Sequence, residues 1–529
     1  MSNTKPNMKL ILTGLLLGLL LASLDQTIMS TSMPTIIKDL GGMSLYSWVF
    51  SVYMLTSTTS MPIFGKLADL YGRKRIYLIG MALFMVGSAL CGMASNMTEL
   101  IVFRGLQGIG GGALMPIAMT IIGDIVSPEK RGKMQGLFGG VFALSSIIGP
   151  AIGGFIVEHT TWNWIFYINL PFGIAAMIIM SIALKESKST EKRSIDWLGA
   201  ITLSGSIISL LLALVLGGSG GEGVVHYAWG SVQVIGLFTT SAVLLALFLW
   251  IEKKAKEPIL PLHLFSNRVI AISYLTGFLM SAAMFGAITY IPLFVQGVIG
   301  VNPSMAGYIL TPMMLSVFVA AMIGGRLIIK VPYRVTIISS MALMAIGFGL
   351  LSQMGVHTSN STIIMYMIIA GLGMGPLMPT INTAVQSEVG RQLRGVATSS
   401  VQFFRSIGGT IGVSVMGALM ASRMSSGLAG IGDRLPQVPS EKLAALANPR
   451  VLLDPAAMSK LPHEVLLELQ KVFTAAVNQV FMTGLIIVLI GLIAGFFIGK
   501  ARLSSQSSGG SGTEVQEQKT TADGKKIYA

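Results

Sequence analysis

The sequence predicts an all-α polytopic membrane protein. Two six-helix bundles flank two inserted helices, giving fourteen transmembrane helices with both termini cytoplasmic. Three observations predict it. Of 529 residues, 53% are hydrophobic and only 11% are charged, where soluble domains run near roughly a quarter charged. Apolar runs of about 20 residues, the length that spans a bilayer, recur almost to the end of the chain. One glycine-rich run also reappears later at a fixed spacing and in the same orientation.

The predicted spans are 10–33, 45–65, 76–95, 99–123, 134–157, 163–184, 196–217, 228–251, 269–297, 303–329, 335–354, 361–384, 396–422 and 474–499. The first is not a secretory signal: it is too long, it carries Asp25, and no small-residue cleavage site follows it. The loops KESKSTEKRSI (185–195) and EKKAKEPILPLHLFSNR (252–268) bracket spans seven and eight. Between spans thirteen and fourteen, the 423–473 segment contains PSEKLAALANP and LPHEVLLELQ. These read as short amphipathic external helices, with Ser440 as a cap and Glu441 as a first-turn acid. The polar end of the chain is predicted to be disordered.

Orientation follows from charge. Of 36 Lys and Arg residues, 27 fall in or at the rim of alternate segments on one side, tails included. The short loops on the other side hold only Lys38, and the rest lie around 423–473 or, as Arg104 and Arg405, inside spans. Basic segments stay cytoplasmic, so the +14 net charge is a topology signal whose partner is anionic inner-leaflet lipid. Nucleic acid is not needed to explain it.

RGLQGIGGGALMPIAMT (104–120) aligns with MIIAGLGMGPLMPTINT (367–383) at an offset of 263. Gly108, Gly110, Gly112, Leu114, Met115, Pro116 and Thr120 match Gly371, Gly373, Gly375, Leu377, Met378, Pro379 and Thr383. The register runs on to Arg131-Gly132 over Arg394-Gly395. Span four thus corresponds to span twelve. The chain parses as an N-terminal bundle (1–184), a linker with spans seven and eight (185–268), a C-terminal bundle with its external loop (269–500), and a tail (501–529). Parallel repeats of this kind build two-bundle transporters that hold substrate near the midplane. The ionisable chemistry sits mainly in the first repeat, because Met367 replaces Arg104 and Ile329 replaces Asp69.

Asp25 shares a helical stripe with Gly14, Gly18, Ala22 and Met29, so it should face other helices or a cavity. A buried acid costs several kcal/mol and commonly marks an ion or proton path, although a structural ion pair is the plainer explanation. Asp25 lies about 12 Å and Arg104 about 8 Å below the outer ends of their helices, close enough in depth to pair. Alternatively, Arg104 bonds backbone carbonyls among the glycines. A proton and a cationic solute competing for one carboxylate would be the physical core of exchange. In GKLADLYGRKR (65–75), Gly65, Asp69, Gly72 and Arg73 suit either a charge lock on the inner face or an ordinary basic hairpin. Gln26, Tyr53, Gln107, Phe285, Tyr290, Phe403, Phe404 and Arg405 are candidate cavity-lining residues, with ordinary packing as the alternative for the aromatic ones. QGIGGGALMP and SSIIGPAIGG are packing surfaces, not phosphate loops, and no Walker-type sequence occurs. Gly149-Pro150 is expected to bend span five. No metal site is expected from Cys91 and five scattered His residues.

LDQTIMSTSMP, GKLADLYGRKR, RGLQGIGGG, GPAIGG, WNWIFYINLPFG and GVATSSVQFFRSIGGTIG together resemble fourteen-helix drug/proton antiporters of the major facilitator superfamily, over about residues 10–500. The resemblance implies that Asp25 handles protons or cations with support from Arg104. It implies that Gly65, Asp69, Gly72 and Arg73 gate the cytoplasmic side, and that Gly149, Pro150, Gly153 and Gly154 form the antiporter motif. Asn163 departs from the family's usual Arg, and span ten lacks the acid of some divalent-cation pumps. The expectation is a non-enzymatic multidrug antiporter in a bacterial-type cytoplasmic membrane. It would act as a monomer and export lipophilic cationic or neutral compounds, using the proton gradient and no cofactor. The alternatives are an exporter of a lipid, fatty acid or endogenous metabolite on the same fold, or a membrane enzyme, whose clustered ligands the sequence lacks.

Overall fold

The computed structural model describes residues 8–41, 45–184, 196–217, 227–255, 257–301, 303–429, 462–499 and 501–502. The 185–195 loop, Ser440, Glu441 and the tail beyond 502 lie outside the described residues. The helices are α1 (Met8–Leu40), α2 (Tyr46–Tyr71), α3 (Arg73–Gly92), α4 (Met97–Ile125), α5 (Pro128–His159), α6 (Trp164–Tyr167) and α7 (Asn169–Ala183). There follow α8 (Trp197–Leu216), α9 (Val232–Glu252), α10 (Arg268–Phe294), α11 (Pro303–Lys330), α12 (Tyr333–Leu351), α13 (Asn360–Ser387), α14 (Arg394–Ala429) and α15 (His463–Gly495).

Every predicted span coincides with a helix, span six being the pair α6 and α7. Twelve helical stretches of the described chain are long and apolar enough to cross a membrane. Helices α2 and α5 are not among them. The run Ser57-Thr58-Thr59-Ser60 with Lys66 and Asp69 dilutes α2, whereas residues 136–153 of α5 carry no charged side chain. Large apolar side chains point outward on several helices, with Val232 85% and Ile182 74% exposed. Only a lipid surround makes such a surface stable. The protein is a multi-pass membrane protein.

The sequence repeat reappears as repeated packing. Helices α2 and α3 pack on α4, as α11 and α12 pack on α13. A Cβ on Gly110 would overlap the backbone nitrogen of Phe84, and one on Gly373 would overlap that of Met344. Likewise Gly108 abuts the Tyr53 carbonyl while Gly371 abuts that of Met313. Glycine removes the side chain that would keep these backbones apart. Helix α1 packs on α5 and α7, while α10 packs on α14 and α15. The linker helices α8 and α9 pair with each other, and α8 also touches α2 and α14. Between the repeats, α2 meets α14 and α5 meets α11.

Candidate functional site

Helix α4 begins with a reciprocal cap. The Glu99 amide donates to Asn96 Oδ1 (2.9 Å), and the Ser95 amide donates to Glu99 Oε2 (2.9 Å). This fixes the start of the helix and so the depth of Arg104, about 10 Å further along the axis. Its Nη1 lies 2.6 Å from Asp25 Oδ2, with both side chains 1% exposed. Gln107 Nε2 donates to Asp25 Oδ1 (2.8 Å), and Asn169 Nδ2 reaches the same oxygen (3.3 Å). Arg104 Nη1 also donates to Gln107 Oε1 (2.8 Å), and the guanidinium lies 4.3 Å from the centre of the Tyr53 ring. Asn169 is anchored in turn on Ser88 Oγ (3.0 Å). Of the two alternatives for Arg104, the carboxylate partner is the one found. The carboxylate is thus surrounded by donors from α4 and α7, so its negative charge is matched inside an otherwise apolar bundle.

Of the candidate lining residues, Gln26, Tyr53 and Gln107 gather here, Gln26 through a hydrogen bond with Tyr53. The others lie in the second repeat. Tyr290 donates to the Val413 carbonyl (3.1 Å), and Phe285 packs against Gly409. Phe404 stacks on Tyr274 at 5.1 Å and meets Phe403 and Phe265 edge-on. Arg405 is buried between α10 and α14. In the antiporter motif, Gly149 lets α5 approach Thr27 of α1, whose hydroxyl donates to the Ser145 carbonyl (3.0 Å). Gly153 is buried, Gly154 faces open space, and Pro150 lies within an uninterrupted α5.

At the basic end of the bundle, Asp69 accepts hydrogen bonds from the amides of Gly395 (2.9 Å) and Val396 (2.8 Å), in the first turn of α14. A carboxylate here also meets the positive end of the helix dipole. Arg73 reaches Asp69 (3.3 Å), pairs with Asp124, and donates to the Arg391 carbonyl (2.9 Å). Arg394 reaches Asp124 at 3.2 Å. Gly65 lies against Ser399, and Gly72, with φ 96°, makes the turn from α2 into α3. Asp69 lies past the end of its predicted span, and burial pushes its carboxyl up to about 6 against the opposing pull of Arg73 and the two amides. Lys74 and Arg75 stay out of this cluster; Lys74 donates to the Ser181 carbonyl (2.5 Å) instead. The sequence reading missed Asn169, Ser88, Asp124 and the amides of α14.

The sequence profile of the Major Facilitator Superfamily matches residues 15–413. The chain is 44% identical to the Bacillus subtilis multidrug transporter protein MdtP over 97% of its own length and 96% of that protein's. It is 38% identical to multidrug resistance protein 3 of the same organism, over 94% and 96% respectively. Among solved structures, the human organic anion transporter MFSD10 superposes with a TM-score of 0.58 at 14% identity, covering 92% of this chain and 100% of that one. The proton:xylose symporter XylE superposes with a TM-score of 0.56 at 12% identity, over 93% and 94%. These two likenesses show a shared fold.

Proposed function

Because the chain belongs to the major facilitator superfamily, we propose that it is a proton-coupled multidrug efflux antiporter exporting lipophilic cationic or neutral compounds across a cytoplasmic membrane. The observation that carries the reading is Asp25, a carboxylate in an apolar helix with Arg104, Gln107 and Asn169 as its donors. The names of the relatives, a multidrug transporter and a multidrug resistance protein, support the export of drugs.

In this account, Asp25 carries either a proton or the positive charge of a solute, never both. Protonation cancels its attraction for Arg104 and frees that helix contact, so proton uptake and solute release are alternatives at one carboxylate. The Asp69–Arg73–Asp124 cluster ties α2 and α4 to the start of α14 and closes the basic, cytoplasmic side in one phase of the cycle. Residues 1–184 and 269–500 rock as two bodies with α8 and α9 between them, and one copy in membrane lipid is the working unit. A proton moving down the gradient releases about 2.3 kcal/mol per 100 mV, enough for one or two protons to drive uphill export without ATP or a cofactor.

The test uses inverted membrane vesicles with an imposed proton gradient and a pH probe. Ethidium should trigger proton release with the wild type and none with Asp25→Asn. Equal responses would move coupling away from Asp25. No response to a broad drug panel would remove the drug-efflux reading.

A further inference from the structure

The first repeat surrounds its own carboxylate with an arginine and a glutamine three residues apart. The second repeat also holds an arginine and a glutamine three residues apart, in the reverse order and on α14 instead of α13, the counterpart of α4, and without the acid. Arg405 lies about 16 Å along α14 from the start of that helix and is only 9% exposed. Its Nη1 donates to Gln402 Oε1 (2.9 Å) and its Nε to Ser281 Oγ (3.3 Å). Among the described residues, no carboxylate pairs with it. Among the described residues, two of the five guanidinium N–H groups therefore find an acceptor.

Gln402 adds to the imbalance. Its oxygen must face Arg405, because two donors do not bond, so its amide nitrogen points elsewhere. That Nε2 is buried and has no partner. The corresponding nitrogen of Gln107 is satisfied by Asp25. Arg405 and Gln402 thus present only donors, with a positive charge that no described residue neutralises. An unpaired buried cation is unfavourable by several kcal/mol, and buried N–H groups without acceptors add to that. An occupant that supplies a negative charge and two acceptor oxygens removes both penalties. A carboxylate matches the planar fork of a guanidinium and can take a further bond from the glutamine.

Building on the efflux reading above, we propose that Arg405 and Gln402 form an anion subsite for the carboxylate of an amphipathic substrate. The transported compounds then include lipophilic acids and zwitterions as well as cations. The plainer alternative is that Arg405 only ties α14 to α10 through Ser281.

The test measures equilibrium binding to the full-length protein in nanodiscs. The probes are a dansyl-labelled fatty acid, its amide, and a dansyl-labelled trimethylammonium of equal length. The wild type should bind the acid about tenfold more tightly than the amide, as expected for losing one charge-assisted bond. Arg405→Gln should bring that ratio near one, and Arg405→Lys, which keeps the charge but not the fork, should fall between. Thermal melting establishes that each variant is folded, and the acid-to-amide ratio of the wild type needs no variant at all. Equal binding of acid and amide by the wild type overturns the subsite. So does an Arg405→Gln variant that weakens all three probes by one factor, the mark of a structural tie. If the amide ties with the acid while chloride raises the melting temperature of wild type but not of Arg405→Gln, the occupant is an inorganic ion and the substrate role is overturned. Failure of the trimethylammonium probe to release protons in vesicles would sink the efflux reading alone, since the acid-to-amide ratio is read without a gradient.

Discussion

Arg104 and Arg405 are both buried arginines, and each donates through Nη1 to a glutamine three residues away. Arg104 also has Asp25 at 2.6 Å, whereas Arg405 has a serine hydroxyl at 3.3 Å. Elsewhere the two repeats pack alike: Gly110 of α4 lies against the backbone of Phe84, and Gly373 of α13 against that of Met344. The two repeats share a scaffold and differ in charge. Close helix packing constrains the glycines wherever it occurs, while a buried acid persists only where it is used or fully paired.

The sharpest way to break this comparison is to remove the acid. Asp25→Ala leaves Arg104 buried without its counter-charge and should cost about 3–5 kcal/mol of stability, read as a lower unfolding midpoint in detergent. The double variant Asp25→Ala with Arg104→Met should recover much of that stability while remaining inactive in transport. Ser281→Ala removes only a neutral partner of Arg405 and should cost about 1 kcal/mol. Equal losses for Asp25→Ala and Ser281→Ala would erase the distinction between the repeats.

A second prediction sharpens the shared part. Gly110→Ala and Gly373→Ala each force a methyl group into the backbone of a neighbouring helix. Each should cost about 1–3 kcal/mol, by similar amounts, in the same unfolding measurement. A large loss at one position and none at the other would mean that the likeness in packing carries no energetic weight.

Smaller effects are expected where the repeats meet. Asp69→Ala frees two amides of α14, and a Ser399→Cys reporter should then react with a water-soluble maleimide about tenfold faster. The native Cys91 is buried and should contribute little background. Acidity should act in the opposite direction. The carboxyl of Asp69 sits at about 6 when packed against α14 and near about 4 when released into water. The closed form therefore takes up a proton that the open form gives up, so closure gains as pH falls from 6 toward 4 and is level above that range. Labelling, corrected for maleimide chemistry on the unfolded chain, should slow over that window with Asp69 and not with Asp69→Ala.

The pairing of Asp25 with Arg104 was legible because depth along a helix follows from counting residues. Asn169 and Ser88 were not, since their part depends on how α3 and α7 rotate about their axes, and neither helix has a strong apolar stripe to fix it. At the basic end, Asp69 and Arg73 were legible as charges, but two of the partners of Asp69 are backbone amides, which leave no mark in the sequence. Asp124 sits at the last turn of α4 and read as part of a loop. Phe403 and Phe404 are adjacent on α14 and so point about 100° apart. Only one of two such neighbours can face a given cavity squarely, and both join an aromatic cluster with Tyr274 and Phe265.

The central claim is that a proton and a cation exclude one another at Asp25. Its most direct test is the binding of ethidium to the purified protein in nanodiscs, measured across pH without any gradient. Over the range in which Asp25 takes up its proton, affinity should fall by up to about tenfold per pH unit as the solution is acidified, because one proton must leave for one cation to bind. With Asp25→Asn the affinity should be independent of pH. The same pH dependence in both proteins would contradict the account.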